Sequence, residues 1–589
     1  MHNHTTPPNP ADMRNLIIAV VLCTGLLFLW QEMYVAPQRQ AEQQKIKTLE
    51  QAAQGDVAMP SGDGLSSAAE AAVLTRSQAL EESGRVQINA PAVHGSINLK
   101  GLRLDDLTLV RHHLTPDETS PEVVLLSPAK TQARYFVQFG WLGGAGTNGV
   151  QLPDANTVWQ ADRDTLTAEA PVTFTWASPQ GLTFSNTIAL DENYLFTLTQ
   201  RVTNNSGSDV QLLPYGLINR TQQTADRFSA LIHTGPIAVV DGELVEESYG
   251  DVADDGKISF NNATSWLGMA DKYWLTAFIP QEREAMAVNF QHIASGGDDR
   301  TQVDYLSQPV AVPAGGTVED IRYLFAGAKE LNVLERYEDN LNIALFDRAL
   351  DFGVLYFLTY PIFKTLDFFY HLIGNFGLAI MLFVVLLKIV LFPLSNKSYH
   401  SMAQMRKLQP ELENIKKRYG DDKMRQQQEI MKLWQKEKVN PMSGCLPILI
   451  QIPIFFALYK TLLVTIEMRH APFYGWIHDL SVKDPTNIFT LFGLIPWNPP
   501  EFMHLGALPI IMCITMILQQ KLNPKPTDPI QAKVMGLLPY LFLFLFASFP
   551  AGLLLYWAWN NVLSILQQWI ILRRYERKEQ RRSTASASS

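Results

Sequence analysis

The chain has 589 residues, of which 47% are hydrophobic and 18% charged, with a net charge of −9 and three cysteines. Its mean hydropathy of −0.01 is unremarkable only because long apolar runs and a polar, acidic stretch offset one another. The cysteines, Cys23, Cys445 and Cys513, leave residues 24–444 without any, which excludes a disulfide framework there, and the acidic balance gives no ground for DNA binding.

Runs long enough to cross about 30 Å of hydrocarbon at about 1.5 Å per residue are 16–30, 376–394, 445–466, 505–518, 534–549 and 552–572. They predict six spans. Residues 85–340 carry about twice as many acidic as basic side chains, so the rest of the chain is net positive. Eleven Lys and Arg fall in 397–438 and six from Arg573 onward, against only Arg469 and Lys483 in 467–504. The positive-inside rule then places both termini and 397–440 in the cytoplasm, and the acidic region and 467–504 outside. This means a multi-pass membrane protein with a large domain on the outer side.

Residues 1–34 read as a retained anchor. No small-x-small site follows the apolar run, Trp30, Met33 and Tyr34 form an interfacial end, and Cys23 lacks the preceding small residue of a lipoprotein. Residues 35–85 are rich in Gln, Ala, Glu, Ser and Gly and predict a flexible linker. From 86 to 340 the pattern has period two, as in Val172-Thr-Phe-Thr-Trp176, the turn at 177–181 and Leu182-Thr-Phe184. Strands are also predicted over 97–109, 194–202 and 323–325, and together they make a large β-sandwich. The linker 341–374 ends in an aromatic stretch with Lys364, Asp367 and His371 on one helical face, predicting a helix that lies in the membrane interface. A seventh crossing there would put the basic 397–438 segment outside. The core, 375–572, contains a helical hairpin over 397–440: Met405, Leu408, Leu412, Ile415 and Tyr419 make one seam, and Met424, Met431 and Trp434 a weaker one across the breaker at 420–422. A basic tail, 573–589, follows.

No nucleotide-hydrolysis, zinc-protease or serine-hydrolase motif occurs, so no enzyme, cofactor or metal site is indicated. Gly144-Ala-Gly-Thr-Asn-Gly149 matches a dinucleotide fingerprint only in letters, because no helix opens after it. Residues 251–262 resemble an EF-hand loop but lack its third ligand and closing Glu. What remains is polar material inside apolar runs: Lys388, Gln451, Tyr459, Lys460, Thr515, Gln519, Gln520, Asn560, Asn561, Ser564, Gln567 and Gln568. Lys388 stands out. A lysine near a span centre costs roughly 2.5–3.5 kcal/mol, offset by only about 0.3–0.6 per large apolar residue, so the residue implies a polar cavity. Snorkelling to the headgroups is the plainer reading, but Phe392 and Pro393 follow and the basic loop starts only at Lys397.

The run Asn440-Pro-Met-Ser-Gly-Cys-Leu-Pro-Ile-Leu-Ile-Gln-Ile-Pro-Ile-Phe-Phe-Ala-Leu-Tyr459 resembles the signature of YidC-type membrane protein insertases. Met405-Arg-Lys-Leu-Gln-Pro410, Gly420-Asp-Asp-Lys423, Trp476-Ile-His-Asp-Leu480 and Phe549-Pro-Ala-Gly-Leu-Leu-Leu-Tyr-Trp557 agree with it. The resemblance implies five core spans around a hydrophilic groove, open to cytoplasm and lipid, with one central positive residue. Lys388 takes that position, where the family often has Arg; Gln451, Gln520, Trp557 and Asn560 fall on groove-lining positions. It further implies recruitment of nascent membrane proteins at the hairpin, through Arg406, Lys407, Lys416 and Lys417. The partners so implied are the Sec translocon, the ribosome and components of the signal recognition particle pathway, in a lipid bilayer and without ATP hydrolysis. Residues 492–500 depart from the family pattern as an insertion in the outer loop. Two other classes are weighed: an ion-coupled transporter using Lys388, and a sugar-binding, mutarotase-like outer domain using His94, His112 or His113.

Overall fold

The computed structural model describes residues 73–221, 232–295, 298–420, 422–437, 446–497, 499–500, 504–523 and 529–587. The predicted anchor with Cys23, most of the linker, and signature residues 440–445 lie outside them. The linker meets ordered structure earlier than predicted. A short helix, α1 (Arg76–Glu81), starts at a Thr75–Gln78 capping box, and Arg76 pairs with Asp106 of the sheet.

Period-two alternation builds the outer domain. In the strand Leu182–Leu190, residues 182, 184, 186, 188 and 190 are buried and those between them are partly exposed; it pairs with Val172–Ala177 so that Trp176 opposes Phe184. The predicted strand over 97–109 is instead a hairpin of Val93–Asn98 and Arg103–His113. Gly101 and Leu102 between them take left-handed φ of 76° and 46°, a conformation that turns the chain and cannot continue a strand.

One layer runs through Val93–Asn98, Arg103–His113, Tyr135–Gly143, Val210–Thr221, Asp298–Leu306 and Met286–Ser295, each antiparallel to the next. The other runs through Trp274–Pro280, Thr317–Ala328, Leu195–Asn204, Leu182–Leu190 and Val172–Ala177. The long strand Lys257–Ala270 pairs with the first layer early and the second late, so it joins them at one edge. The layers meet face to face: Phe278 packs edge-on against Tyr305 at 5.2 Å, and a Cβ on Gly216 would lie 2.8 Å from the Phe278 ring. This is the predicted sandwich. Residues 144–149 are loop, with Gly146 and Gly149 at positive φ. The calcium-like stretch is divided between helix α2 (Tyr249–Asp255), where Asp251 is spent on a capping box with Ser248, and the start of the strand Lys257–Ala270.

Helix α3 (Leu331–Leu341) leads to α4 (Tyr356–Ile373), the predicted interfacial helix. Its polar face is turned to the outer domain: Lys364 pairs with Glu335, Asn332 donates to Asp367 at 3.2 Å and Tyr360 to Glu335 at 2.8 Å. Its opposite side buries Ile362, Phe363 and Leu366. The remaining helices are α5 (Phe376–Val390), α6 (Phe392–Arg418), α7 (Lys423–Lys436), α8 (Leu446–Val464), α9 (Ala507–Leu522), α10 (Pro529–Phe546) and α11 (Ala551–Ala587).

Two boundaries differ from expectation. The predicted span 376–394 stops at Val390, and α6 leaves at 69° to α5, because Pro393 has no N–H to extend the α5 ladder and its ring excludes the carbonyl a turn earlier. The predicted tail is no separate segment, since α11 runs on to Ala587 through residues that favour helix. Among the described residues no single helix is long and apolar enough to cross a membrane; the bent α5–α6 pair is, by length and composition. The hairpin pairs α6 with α7, and Asp422 caps α7 by accepting the Arg425 N–H at 3.0 Å. Leu408 and Leu412 are buried as predicted, but on α7 the buried residue is Leu433, while Met424 and Met431 are exposed. The α7 seam therefore lies over Leu433 and Trp434.

Candidate functional site

Lys388 sits on the last turn of α5, facing α11. Its Nζ donates to Ser564 Oγ at 2.7 Å, and Ser564 in turn donates to the Asn560 carbonyl one turn back, also at 2.7 Å. The second bond leaves the hydroxyl oxygen free to accept from the ammonium. Among the described residues no carboxylate lies within 4.0 Å of that ammonium. Asn560 is buried with its side-chain Oδ1 unpartnered, and both polar atoms of Gln567 and the Oε1 of Gln568 are likewise without a partner. The α11 positions 557, 560, 564 and 567 recur at three and four, so one stripe of this helix carries the aromatic and polar groups together.

The other predicted groove residues sit nearby in different roles. Gln451 of α8 donates to the Tyr556 hydroxyl. Trp557 packs against Phe455 at 4.7 Å, Phe546 at 4.9 Å and Phe542 at 5.9 Å, an aromatic cluster that ties α8 and α10 to α11. Gln520 donates to the Met535 carbonyl at 2.8 Å, joining α9 to α10 and making no contact with Lys388. The structure thus brings Lys388 and Asn560 together through Ser564, sets Gln451 of α8 against Tyr556, the neighbour of Trp557 on α11, and leaves Gln520 at a helix pair. Arg406, Lys407 and Lys417 are exposed on α6, and Lys416 partly so.

A cavity of about 1240 Å³ opens between α8, α10 and the start of α4. Phe455, Phe456, Tyr459, Phe544 and Phe549 line it, with Lys460 at its edge. Lys460, one of the cations noted in the apolar runs, pairs with Asp351 at 2.6 Å. Sequence reasoning missed that partner: a lysine in an apolar run calls for an acid, but no spacing singles out Asp351 from the other acids of 341–374. Asp351 also accepts the His233 backbone N–H at 2.7 Å, tying the outer domain to α8. A second tie is Arg469, which donates to the His113 carbonyl at 2.7 Å and lies over the Trp274 ring.

The three histidines weighed for sugar chemistry are scattered. His94 bonds Glu122 at 3.0 Å, His112 lies 3.6 Å from Glu330, and His113 bonds the Ser120 carbonyl at 2.7 Å. They form no shared acid–base pair.

Comparison with known proteins follows this layout. Residues 85–365 match the YidC periplasmic domain family and 368–579 the family described as 60Kd inner membrane protein. A protein of Rickettsia bellii (strain OSU 85-389) named membrane protein insertase YidC is 46% identical over 558 residues, covering 95% of this chain and 98% of its own length. One of the same name from Rickettsia typhi is 45% identical over 561 residues, with the same coverage. A crystal structure of an active YidC insertase with its first transmembrane domain resolved aligns at 17% identity and a TM-score of 0.35, covering 82% of this chain and 92% of that one. A galactose mutarotase related enzyme from Lactobacillus acidophilus aligns at 11% identity and a TM-score of 0.30, over 41% of this chain and 97% of its own; likenesses at such scores carry no argument. Full-length identity near one half does, and the chain belongs to the YidC family of membrane protein insertases, inner-membrane proteins with a periplasmic domain.

Proposed function

We propose that this protein inserts nascent membrane proteins by giving their short polar outer segments a hydrated path beside Lys388. The single observation that carries the reading is an ammonium met by one hydroxyl and no carboxylate among the described residues, next to amide groups with spare hydrogen-bonding capacity. A stable fold gains nothing from such an arrangement, whereas an incoming acidic side chain does. In this reading six spans put both termini and the α6–α7 hairpin in the cytoplasm and the β-domain in the periplasm. Arg406, Lys407, Lys416 and Lys417, with the basic end of α11, receive ribosomes or signal recognition particle pathway components, and the Sec translocon is a neighbour for larger clients. Gln451, Trp557 and Asn560 line the path, and Gln520 acts on it only by holding α9 to α10. The client helix then leaves for lipid past α8 and α10. That step needs no ATP, since each large apolar residue contributes about 0.3–0.6 kcal/mol.

The test is insertion of a single-span client into liposomes holding only the purified protein, read by protease protection. Lys388→Arg keeps activity. Lys388→Ala loses about tenfold on clients with acidic outer segments, equivalent to about 1.4 kcal/mol, and little on neutral ones. Equal loss on both client types, or none on either, overturns the charge role.

A further inference from the structure

The outer-loop stretch Asn487-Ile-Phe-Thr-Leu-Phe-Gly-Leu-Ile-Pro-Trp-Asn-Pro-Pro500 contains no charged residue. Seven of its large apolar side chains, Ile488, Phe489, Leu491, Phe492, Leu494, Ile495 and Trp497, are each at least 40% exposed, Leu494 reaching 83%. Such a cluster in water is costly. Yet the loop is built. Buried Asp484 accepts the Leu508 N–H at 2.7 Å and the Thr486 N–H at 2.9 Å, the Ile488 N–H meets the Leu505 carbonyl at 2.9 Å, and Asn487 and Thr490 carbonyls accept Phe492 and Ile495. Its two ends are thereby held together in a closed loop. Leu491 and Phe492 stand at φ of 46° and 59°, left-handed conformations that cost on the order of 1 kcal/mol or more each. The strain goes into a turn whose side chains point outward.

Continuity says what covers this surface. The loop closes onto the N-terminus of α9, whose exposed Ile511, Ile514 and Leu518 follow at spacings of three and four, so loop and helix share the apolar side of one structure. We infer that residues 488–497 form an interfacial anchor seated at the headgroup–acyl boundary of the outer leaflet, holding the periplasmic end of α9 at lipid depth. The inference rests on the reading that α9 crosses the bilayer. Internally hydrogen-bonded backbone suits that depth, Trp497 suits the boundary, and the absence of charge makes the attachment indifferent to anionic lipid.

The experiment places an environment-sensitive fluorophore on Leu494→Cys in the full chain, one copy per nanodisc of phosphatidylcholine, with the labelled wild-type chain as background. Matched probes go on Ile514→Cys of α9 and Glu118→Cys of the β-domain, and quenching by nitroxide-bearing lipid is compared with quenching by aqueous iodide. The expected result is several-fold stronger lipid than iodide quenching at 494, the reverse at 118, and no change when anionic lipid is added. Iodide quenching at 494 matching that at 118 overturns the inference, as does shielding from both quenchers, which would mean cover by protein. If 494 meets water while 514 meets lipid, the anchor alone fails; if 514 also meets water, the reading of α9 as a span fails with it.

Discussion

The β-domain and the helical region both bury charge, and they treat it oppositely. In the β-domain Arg322 donates to Asp320 at 2.9 Å, to Ser307 at 2.7 Å and to Glu284, with its guanidinium over the Tyr305 ring. Arg220 pairs with Asp271 at 2.8 Å and covers Tyr135, and buried Asp105 pairs with Arg85. Where α8 meets that domain the habit persists, in Lys460 and Asp351. Inside the helices, Lys388 meets a hydroxyl and no acid among the described residues, whereas the buried Lys329 of the β-domain, which donates to the Ala349 carbonyl at 3.0 Å, still feels the Asp351 charge. Charge sets that satisfy themselves hold a register between layers, whereas in the proposed reading a charge left with capacity waits for an incoming acidic group.

The largest effect that sharpens this contrast is expected at Arg322. Replacing it with Leu leaves Asp320 and Glu284 facing each other beside an apolar side chain, so the β-domain loses roughly 3–5 kcal/mol. Urea unfolding of the full chain in detergent, followed through its tryptophans, measures that loss. A shift under about 1 kcal/mol would mean that the set is screened like a surface pair, and the comparison would weaken.

Much of this architecture was legible, for identifiable reasons. Strand alternation at 172–190 follows from the pleat itself, since one face is buried and the other is not, and Lys388 was conspicuous because each neighbour is apolar. The break at Leu391 was less so: 376–394 is apolar on both sides of Lys388, and only Pro393 hints that the helix turns. The hairpin at 93–113 was hidden by a leucine, since Leu102 adopts a left-handed φ that its residue type disfavours. For the site, composition named Lys388, Asn560 and Ser564 but not their contact, because a pair separated by 176 positions leaves no periodic trace. Gln520 shows the converse. The family resemblance put it at the groove, and its bond to the Met535 carbonyl ties α9 to α10, a contact only packing shows.

A smaller effect is expected at the junction of the two regions. His233 is held neutral, its pKa pushed down to about 4 by burial and then by the Lys329 ammonium, against the pull of Asp351. Between about 4 and the ordinary 6.5 the unfolded chain therefore binds the extra proton and the folded chain does not, so stability falls as pH drops through that window. Because its edge is partly exposed, the contribution is on the order of 1 kcal/mol. His233→Gln should flatten the fall in thermal midpoint between pH 6.5 and 4. An unchanged pH profile would assign the acid sensitivity to other groups and leave the junction indifferent to charge.

The smallest effect on stability is the one that tests the contrast most directly. Lys388→Met exchanges a costly cation for an apolar chain of similar length, and no carboxylate among the described residues is left behind unpaired. What it gives up is one bond to Ser564, worth about 1 kcal/mol net, and what it removes is the penalty of holding an ammonium away from water. The thermal midpoint should therefore stay level or rise, while insertion of clients with acidic outer segments falls. A loss as large as that of Arg322→Leu would make Lys388 a structural cation like those of the β-domain, and the two regions would no longer differ in kind.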